Sequence, residues 1–389
     1  MKILLVCVKL NGGGAERVGV LMANSLANRG HEVSIVSNLH EPIVYDVDKR
    51  ISIHSMNPNT TNEVIKWGAA IKNIRKEIKR EKPDIILGVM YLCSLAAKIA
   101  SIGTGIPVVM TEHNSFERPS TRPLSWKSKF FKFIVNKIYD YVTVLTVADK
   151  RIIGNRLKKV EVMPNPLLLT PFYEEHSREK RILAAGRVDA WYTKGFDVLV
   201  KAWNQIYVKY PEWRLEIAGL CDLPPYYGVI SNLIKEYDIG ERTKLLGYRK
   251  DVEQLYRDSE IFVLSSRYEG FGLVLIEAMS QGCAPIACDY KGRQREILCP
   301  EGVSSLFAKA HQQAVKSQDS SLDICENGIL CEPDNVEALA QAMEKMICDE
   351  EYRRKVQQNA VKRTEFYNLE RAGERWEKFL EKVIKLKHS

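Results

Sequence analysis

Ile261-Phe262-Val263-Leu264-Ser265-Ser266-Arg267-Tyr268-Glu269-Gly270-Phe271-Gly272-Leu273-Val274-Leu275-Ile276-Glu277-Ala278-Met279 decides the fold. An apolar run rich in β-formers stops at two serines. A polar hinge with two glycines follows, and then an apolar stretch of helical length. That is a strand, a tight loop and a helix, one βα unit. A strand with no polar alternation is buried on both faces, the mark of a parallel sheet covered by helices.

Working outward, the same unit recurs. Strands are expected at 2–8, 32–38, 51–56, 84–89, 107–111, 141–147 and 160–165. Helices are expected between most of them, at 14–28, 62–81, 91–102, 124–138 and 148–157. In the stretch 62–80, Val64, Ile65, Ile71, Ile74 and Ile78 give the helical period. The pattern restarts near Arg181, with strands at 181–187, 213–219, 243–247, 261–265, 284–289 and 328–332. Its helices are 195–210, 226–238, 251–259, 272–281 and 335–348. Met163-Pro164-Asn165-Pro166 and the charged stretch from Tyr173 to Lys180 read as a linker. The expected class is α/β, with two Rossmann-like domains at 1–168 and 178–368. The tail from 369 is a long amphipathic helix with a basic end. The segment 299–326 breaks the rhythm and reads as a polar surface loop. Open α/β sheets take ligands at the carboxyl ends of their strands, so a site is expected in a cleft between the two domains.

Composition sets limits. The 389 residues are 45% hydrophobic and 27% charged, which excludes a disordered or collagen-like chain. No apolar run reaches the ~18 residues of a spanning helix. Met1 to Val8 is too short for a signal core and reads as a buried first strand, so a cytoplasmic location is expected. The nine cysteines include no Cys-x-x-Cys and read as free, small hydrophobes rather than a disulfide framework or a zinc site. Residues 1–170 carry 25 Lys and Arg against 14 Asp and Glu; the remainder carries 32 against 35. The N-terminal half therefore suits an anionic lipid, polyanion or phosphate, unless the charge is merely a solvated face. No nucleic-acid partner is expected.

Four places can carry chemistry. Gly12-Gly13-Gly14-Ala15-Glu16-Arg17 follows the first strand and opens a helix, either a phosphate seat made of bare N–H groups or a tight turn. It fits G-x-G-x-x-G only in part, because Arg17 stands where the third glycine belongs. His113 and Asn114 follow a strand end. The imidazole there would hydrogen-bond a sugar hydroxyl or take a proton. Gly186-Arg187 ends one strand and Lys194-Gly195-Phe196 opens a helix, so a guanidinium and an ammonium flank a helix start and suit a diphosphate. Glu269 and Glu277 flank Gly270, Phe271, Gly272 and Leu273. Two acids so placed are explained by hydroxyl ligands, since buried carboxylates need hydrogen bonds. Asp46-Val47-Asp48 matches a metal-binding Asp-x-Asp, but it sits in a loop far from these residues and no metal is expected.

These motifs, in this order along nearly the whole chain, resemble the retaining glycosyltransferases of family 4, which have the GT-B fold. The resemblance rests on 13–17, 112–114, 186–187, 194–196 and the two-glutamate motif ending at Glu277. It implies that Arg187 and Lys194 hold the diphosphate of a nucleotide-sugar, with no metal required. It implies that Glu277 binds the ribose, Glu269 the transferred hexose, and the backbone around Gly247 and Tyr248 the base. The Gly12–Gly14 loop, with Gly13 and Gly14, would lie under the reacting phosphate. His113 would touch donor sugar or acceptor, with Asn114 and Arg17 on the acceptor side. The C-terminal helix 369–389 would pack back on the first domain. Transfer would be front-faced, the leaving phosphate accepting the acceptor's proton.

The acceptor is suggested by Leu124-Ser125-Trp126-Lys127-Ser128-Lys129-Phe130-Phe131-Lys132-Phe133-Ile134-Val135-Asn136-Lys137, which mixes aromatic and basic residues at helical spacing. It reads as a helix on an anionic membrane, or as a domain helix with a basic edge. The overall pattern is similar to transferases that extend polyprenyl-diphosphate-linked saccharides at the cytoplasmic face of the inner membrane, with a UDP-sugar donor. Two other readings stand beside it. One is a nucleotide-sugar epimerase of the same fold. The other is a sugar-binding protein without catalysis.

Overall fold

The computed structural model describes residues 1–56, 60–174, 177–220, 224–300 and 322–388, without the side chains of 224–227 and 388. Internal contacts divide the chain into two units. One is Met1–Leu168 with Tyr367–Ser389; the other is Leu169–Phe366.

The first unit holds seven parallel strands: β1 Lys2–Val6, β2 Glu32–Ser37, β3 Ser52–Ser55, β4 Ile85–Val89, β5 Val108–Thr111, β6 Tyr141–Val144 and β7 Val160–Val162. Their order is β3-β2-β1-β4-β5-β6-β7. β4 and β5 are buried along their whole length, so their uninterrupted apolar sequence has no wet face to alternate for.

The helix Glu63–Glu81 shows how local signals and packing combine. Asn62 caps it, its side chain accepting from the N–H groups of Val64 and Ile65, and Lys82 ends it in the left-handed region at φ 47°. Ala70, Ile74 and Ile78 form its buried stripe. Val64, assigned to that stripe by periodicity, is instead 83% exposed, and the rest of the helix's first turn through Ile65 is exposed with it. The C-terminal helix Leu369–His388 lies against the helix Gly14–Asn28 of the same unit. A Cβ on Gly373 would meet Ser25 Oγ at 2.3 Å, and Arg29 and His31 both bond Glu377, the imidazole at 2.8 Å.

The second unit repeats the design with β8 Glu179–Ala185, β9 Arg214–Ala218, β10 Thr243–Gly247, β11 Ser259–Leu264, β12 Ala284–Cys288, β13 Leu322–Cys325 and β14 Gly328–Cys331. The order is β10-β9-β8-β11-β12-β14-β13. Its core centres on Trp203, fully buried among Ile182, Ile217 and Met343.

Two expectations about the end of this unit are corrected. Most of 299–326 lies outside the described residues, but its last part is β13 rather than loop, paired antiparallel to β14 across the Glu326–Asn327 turn. The cysteines are not all free either. Cys299 and Cys325 form a disulfide with Cα atoms 5.5 Å apart, while Cys7, Cys93, Cys283, Cys288 and Cys331 are buried thiols. A pairing of this kind has no sequence motif, because it needs only two strand or helix ends brought to the same place.

In each sheet the strand order reverses at one point, between β1 and β4 and between β8 and β11. Crevices form where neighbouring crossovers leave on opposite faces, beyond the carboxyl ends of those strands. The chain places its glycine-rich loops there.

Candidate active site

In the second unit, β8 runs into Gly186-Arg187 and β11 into the loop 265–272. These are the two strands at the switch point, so the sheet itself brings the two motifs side by side. Gly195 ends the short helix Trp191–Lys194 and starts the helix Phe196–Ile206 at φ 65°. A Cβ there would lie 1.9 Å from Ser265 O, so only glycine allows this approach. Ser265 Oγ also donates to Lys194 O at 2.8 Å. Gly186 serves the same end: a side chain on it would meet the Lys194 stem at 3.2 Å.

Lys194 Nζ thereby reaches Glu269 Oε1 at 2.7 Å, and Ser266 Oγ donates to the same oxygen at 2.7 Å. Both ionic side chains are mostly shielded from solvent. The phosphate ligand and the hexose ligand read from sequence are thus one ion pair. Arg187 is more exposed and turns to Asp189, its Nε donating to Oδ1 at 3.1 Å. That guanidinium holds the Asp189 carboxyl below the usual carboxylate range. Gly272, at φ 97°, caps the helix Leu273–Ser280, and Glu277 is buried on that helix. Phe271 is buried beside it, and Tyr248 stands 66% exposed just after β10.

One residue of this loop carries more than sequence reading gave it. Arg267 is buried and bonds both oxygens of Asp197, at 2.7 and 2.8 Å, as well as Tyr192 O at 2.6 Å. It also pairs with Asp334 and lies 4.1 Å from the Tyr192 ring centroid. Its guanidinium staples the 192–197 turn, which carries Lys194, to the loop that carries Glu269. A lone arginine between two serines and a tyrosine gave no such signal.

In the first unit, the Gly13 N–H is not bare. It donates to Tyr45 Oη at 2.8 Å, and that hydroxyl donates back to Gly13 O at 2.9 Å. Glu16 crowds Gly13, within 2.1 Å of a built Cβ, and Arg17 follows in the first turn of the helix that Gly14 begins. Beyond β5, His113 Nε2 lies 3.2 Å from Thr111 Oγ1, while its Nδ1 is shut off from solvent without a hydrogen bond. Desolvation lowers its pKa from 6.5 to about 4, opposed weakly by the neighbouring Asn165 side chain. The imidazole is therefore neutral at pH 7 and suits hydrogen bonding better than proton capture. Asn114 is exposed beside it.

Behind this loop Glu112 is buried. Its Oε1 accepts from Asn114 N at 2.9 Å and its Oε2 from Lys132 Nζ at 2.6 Å. Lys132 Nζ also donates to Asn114 O at 3.2 Å and lies 4.3 Å from the Phe116 ring centroid. Lys132 belongs to the helix Trp126–Phe133, whose other side shows Trp126, Phe130, Ile134 and Ile138 to solvent at four-residue intervals into the following 3₁₀ turn.

Among the described residues, two places that could suggest a metal already hold an arginine. Asp48 accepts from Arg50 Nε at 2.9 Å. His54, Glu77 and Glu81 converge, but Arg80 stands among them, 2.6 Å from both Glu77 Oε2 and His54 Nε2.

Residues 171–363 match the family described as glycosyl transferases group 1, and residues 12–168 match glycosyltransferase family 4. An uncharacterized glycosyltransferase of Haemophilus influenzae is 28% identical, covering 95% of this chain and 97% of its own. A Campylobacter jejuni protein is 25% identical over 98% of this chain and 99% of its own; it is named as an α-1,4-N-acetyl-D-galactosaminyltransferase acting on GalNAc-α-(1→4)-GalNAc-α-(1→3)-diNAcBac-PP-undecaprenol. Among solved structures, the Anabaena protein HepE in complex with UDP and glucose is similar at a TM-score of 0.74, with 16% identity over 98% of this chain and 100% of its own. That likeness fixes the fold as GT-B.

Proposed function

The chain belongs to the glycosyltransferases of family 4, and we propose that it transfers a hexose or N-acetylhexosamine, with retention, from a UDP-sugar to a polyprenyl-diphosphate-linked saccharide. The observation that carries this reading is the Lys194–Glu269 pair, 2.7 Å apart at the switch point of the second sheet. An ammonium and a carboxylate held together there meet the two ends of the group being transferred, the phosphate side and the hydroxylated sugar.

Breaking the anomeric C–O bond leaves negative charge on the diphosphate. Lys194, Arg187 and the N-terminus of the helix Leu273–Ser280 oppose that charge as it grows, which lowers the barrier. They supply this stabilisation without a metal. Arg187, whose side chain is largely exposed, exchanges Asp189 for phosphate. Glu277 accepts from the ribose hydroxyls, Glu269 from the hexose, and Tyr248 lies by the base; Gly270, Phe271, Gly272 and Leu273 form the wall of that site. The acceptor oxygen attacks on the face the diphosphate leaves, and a diphosphate oxygen takes its proton. No carboxylate nucleophile of the hydrolase type is then needed. On the first unit, Gly14 presents its backbone to phosphate and Gly13 joins it by exchanging the Tyr45 hydroxyl for a phosphate oxygen, while Arg17, His113 and Asn114 meet the acceptor.

The acceptor class is supported by the Campylobacter relative and by the stripe Trp126, Phe130, Ile134 and Ile138, flanked by Lys127, Lys129 and Lys137. Among the described residues no helix is long and apolar enough to cross a membrane. We place this stripe on an anionic bilayer, at the cytoplasmic face, where apolar side chains enter the headgroup region and lysines meet lipid phosphate.

The test is release of UDP from a panel of UDP-sugars, with and without a polyprenyl-diphosphate saccharide and with EDTA present. Release that needs the acceptor and survives the chelator supports the reading. An epimerised donor without any acceptor would replace it. Trp126→Ser with Phe130→Ser should abolish cosedimentation with phosphatidylglycerol vesicles; unchanged binding would refute the membrane assignment.

A further inference from the structure

The first unit carries a second feature, away from the donor and acceptor residues assigned above and next to the membrane stripe, with which it shares Lys137. An open pocket of ≈ 390 Å³ lies where the chain enters β6 and β7. The Gly12–Gly14 loop and His113 lie beyond carboxyl ends of strands, whereas residues 136–139 and 155–159 precede the amino ends of β6 and β7. All these strands are parallel, so the pocket occupies the opposite edge of the same sheet.

Its rim is cationic. Lys137, Arg156, Lys158 and Lys159 line it, and no acidic side chain does. Among the described residues, none of the three lysines has a carboxylate partner. Arg156 is fixed in place, its Nε donating to Ile153 O at 3.1 Å and its guanidinium 4.2 Å from the Phe133 ring centroid. An adjoining depression shares Lys158 and adds Lys150. Like charges gathered without a counter-charge repel, and an anion placed among them relieves that repulsion.

Its floor is polar and unsatisfied. Asn136 and Tyr139 are 3% and 5% exposed. Asn136 Oδ1 and Nδ2 and Tyr139 Oη have no hydrogen-bond partner. Buried polar groups are nearly always paired, by protein, water or ligand, and three orphaned atoms at one pocket mark a place where a partner belongs. An amide N–H₂ and a phenol O–H are neutral donors. With the lysine point charges, and the positive charge of Arg156 held beside them, they make a donor set that suits phosphate oxygens.

We propose that this pocket binds a phosphate group. Ile134 and Ile138, both exposed, flank its entrance in sequence, so the phosphate belongs either to a lipid headgroup or to a free phosphorylated compound.

Inorganic pyrophosphate is titrated calorimetrically into the full chain in the presence of saturating UDP, which occupies the donor site. The same protein is sedimented with phosphatidylglycerol and with phosphatidylcholine vesicles. Lys158→Ala with Lys159→Ala alters exposed side chains, and Tyr139→Phe removes a single oxygen; melting temperatures verify that both variants fold. The double lysine variant should weaken binding about tenfold or more, and Tyr139→Phe a few-fold. Phosphatidylglycerol binding lost in the same variants and displaced by pyrophosphate identifies a lipid headgroup. Weakened pyrophosphate binding with unaltered vesicle binding identifies a free phosphate compound. No binding of either probe by the wild type, or affinities within twofold in both variants, overturns the proposal.

Discussion

Lys194 Nζ and Glu269 Oε1 lie 2.7 Å apart although 75 residues separate them in the chain. Gly186, Gly195 and Ser265 exist, in structural terms, to allow that meeting. If the ammonium faces the leaving diphosphate and the carboxylate the sugar, the two substitutions differ in what they spare. Lys194→Ala should lower turnover about 10²–10³-fold, as loss of a charge-stabilising donor does. Glu269→Gln should also slow transfer but leave UDP affinity within about twofold, because UDP lacks the hexose. Steady-state kinetics and calorimetry with UDP check both. A Glu269→Gln enzyme that no longer binds UDP would reverse the assignment.

Arg267 predicts a structural effect with a kinetic shadow. Its bidentate pair with Asp197 is buried, so Arg267→Leu strands a buried carboxylate and should destabilise the second unit by about 3–5 kcal/mol. Adding Asp197→Leu removes the stranded charge and should restore most of the denaturation midpoint without restoring turnover, since Lys194 then loses its staple. Urea titration followed by intrinsic fluorescence reads the first effect, and nucleotide release the second. Equal midpoints for the single and double variants would show that the stranded carboxylate costs nothing.

His113 sets a pH dependence. Its ring titrates near pH 4 in the native chain instead of 6.5. Between those values the unfolded chain binds a proton that the native ring refuses. Stability from this residue is therefore complete above pH 6.5, declines as pH falls toward 4, and declines no further below that. Urea midpoints at pH 7 and pH 5 should differ less for His113→Asn than for the wild type. The rate of transfer should show no inflection between pH 6 and 7 from this imidazole. An inflection there that His113→Asn removes would mean the ring is protonated in the working enzyme.

Strands β1 to β12 and β14 were legible in the sequence, because doubly covered strands are written as apolar runs and each is followed by a turn signal. The loops that end them were legible too, because close backbone approach leaves glycine as its trace, as at Gly195 and Gly272. What stayed hidden was whatever depends on distant partners. The helix Glu350–Thr364 is almost all polar, with Val356 and Ala360 its buried apolar contacts, so it shows little period to find. β13 is a short edge strand with one apolar face. The Lys194–Glu269, Arg267–Asp197 and Lys132–Glu112 pairs each join charges far apart in the chain, and a single sequence gives no sign of which charge meets which.

Lys132 supplies the last prediction. Its ammonium touches the Glu112 carboxylate, the Asn114 carbonyl and the Phe116 ring, so one charge brackets His113 from behind. Both members of the pair are buried, and removing one leaves the other uncompensated. Lys132→Met should destabilise the first unit by about 3–5 kcal/mol. Lys132→Met with Glu112→Gln leaves no buried charge and should recover stability. It still lacks the link that fixes the loop, and a shift of about 1 Å at a reacting group lowers rates roughly 10²-fold. The double variant should therefore be folded, should bind UDP like the wild type, and should be slow in transfer to the acceptor. Lys132→Arg, which keeps the charge, should fall between. Stability by urea titration, UDP affinity by calorimetry and transfer rate separate the three properties. A folded double variant with wild-type transfer would show that the ion pair holds the helix alone and not the histidine loop.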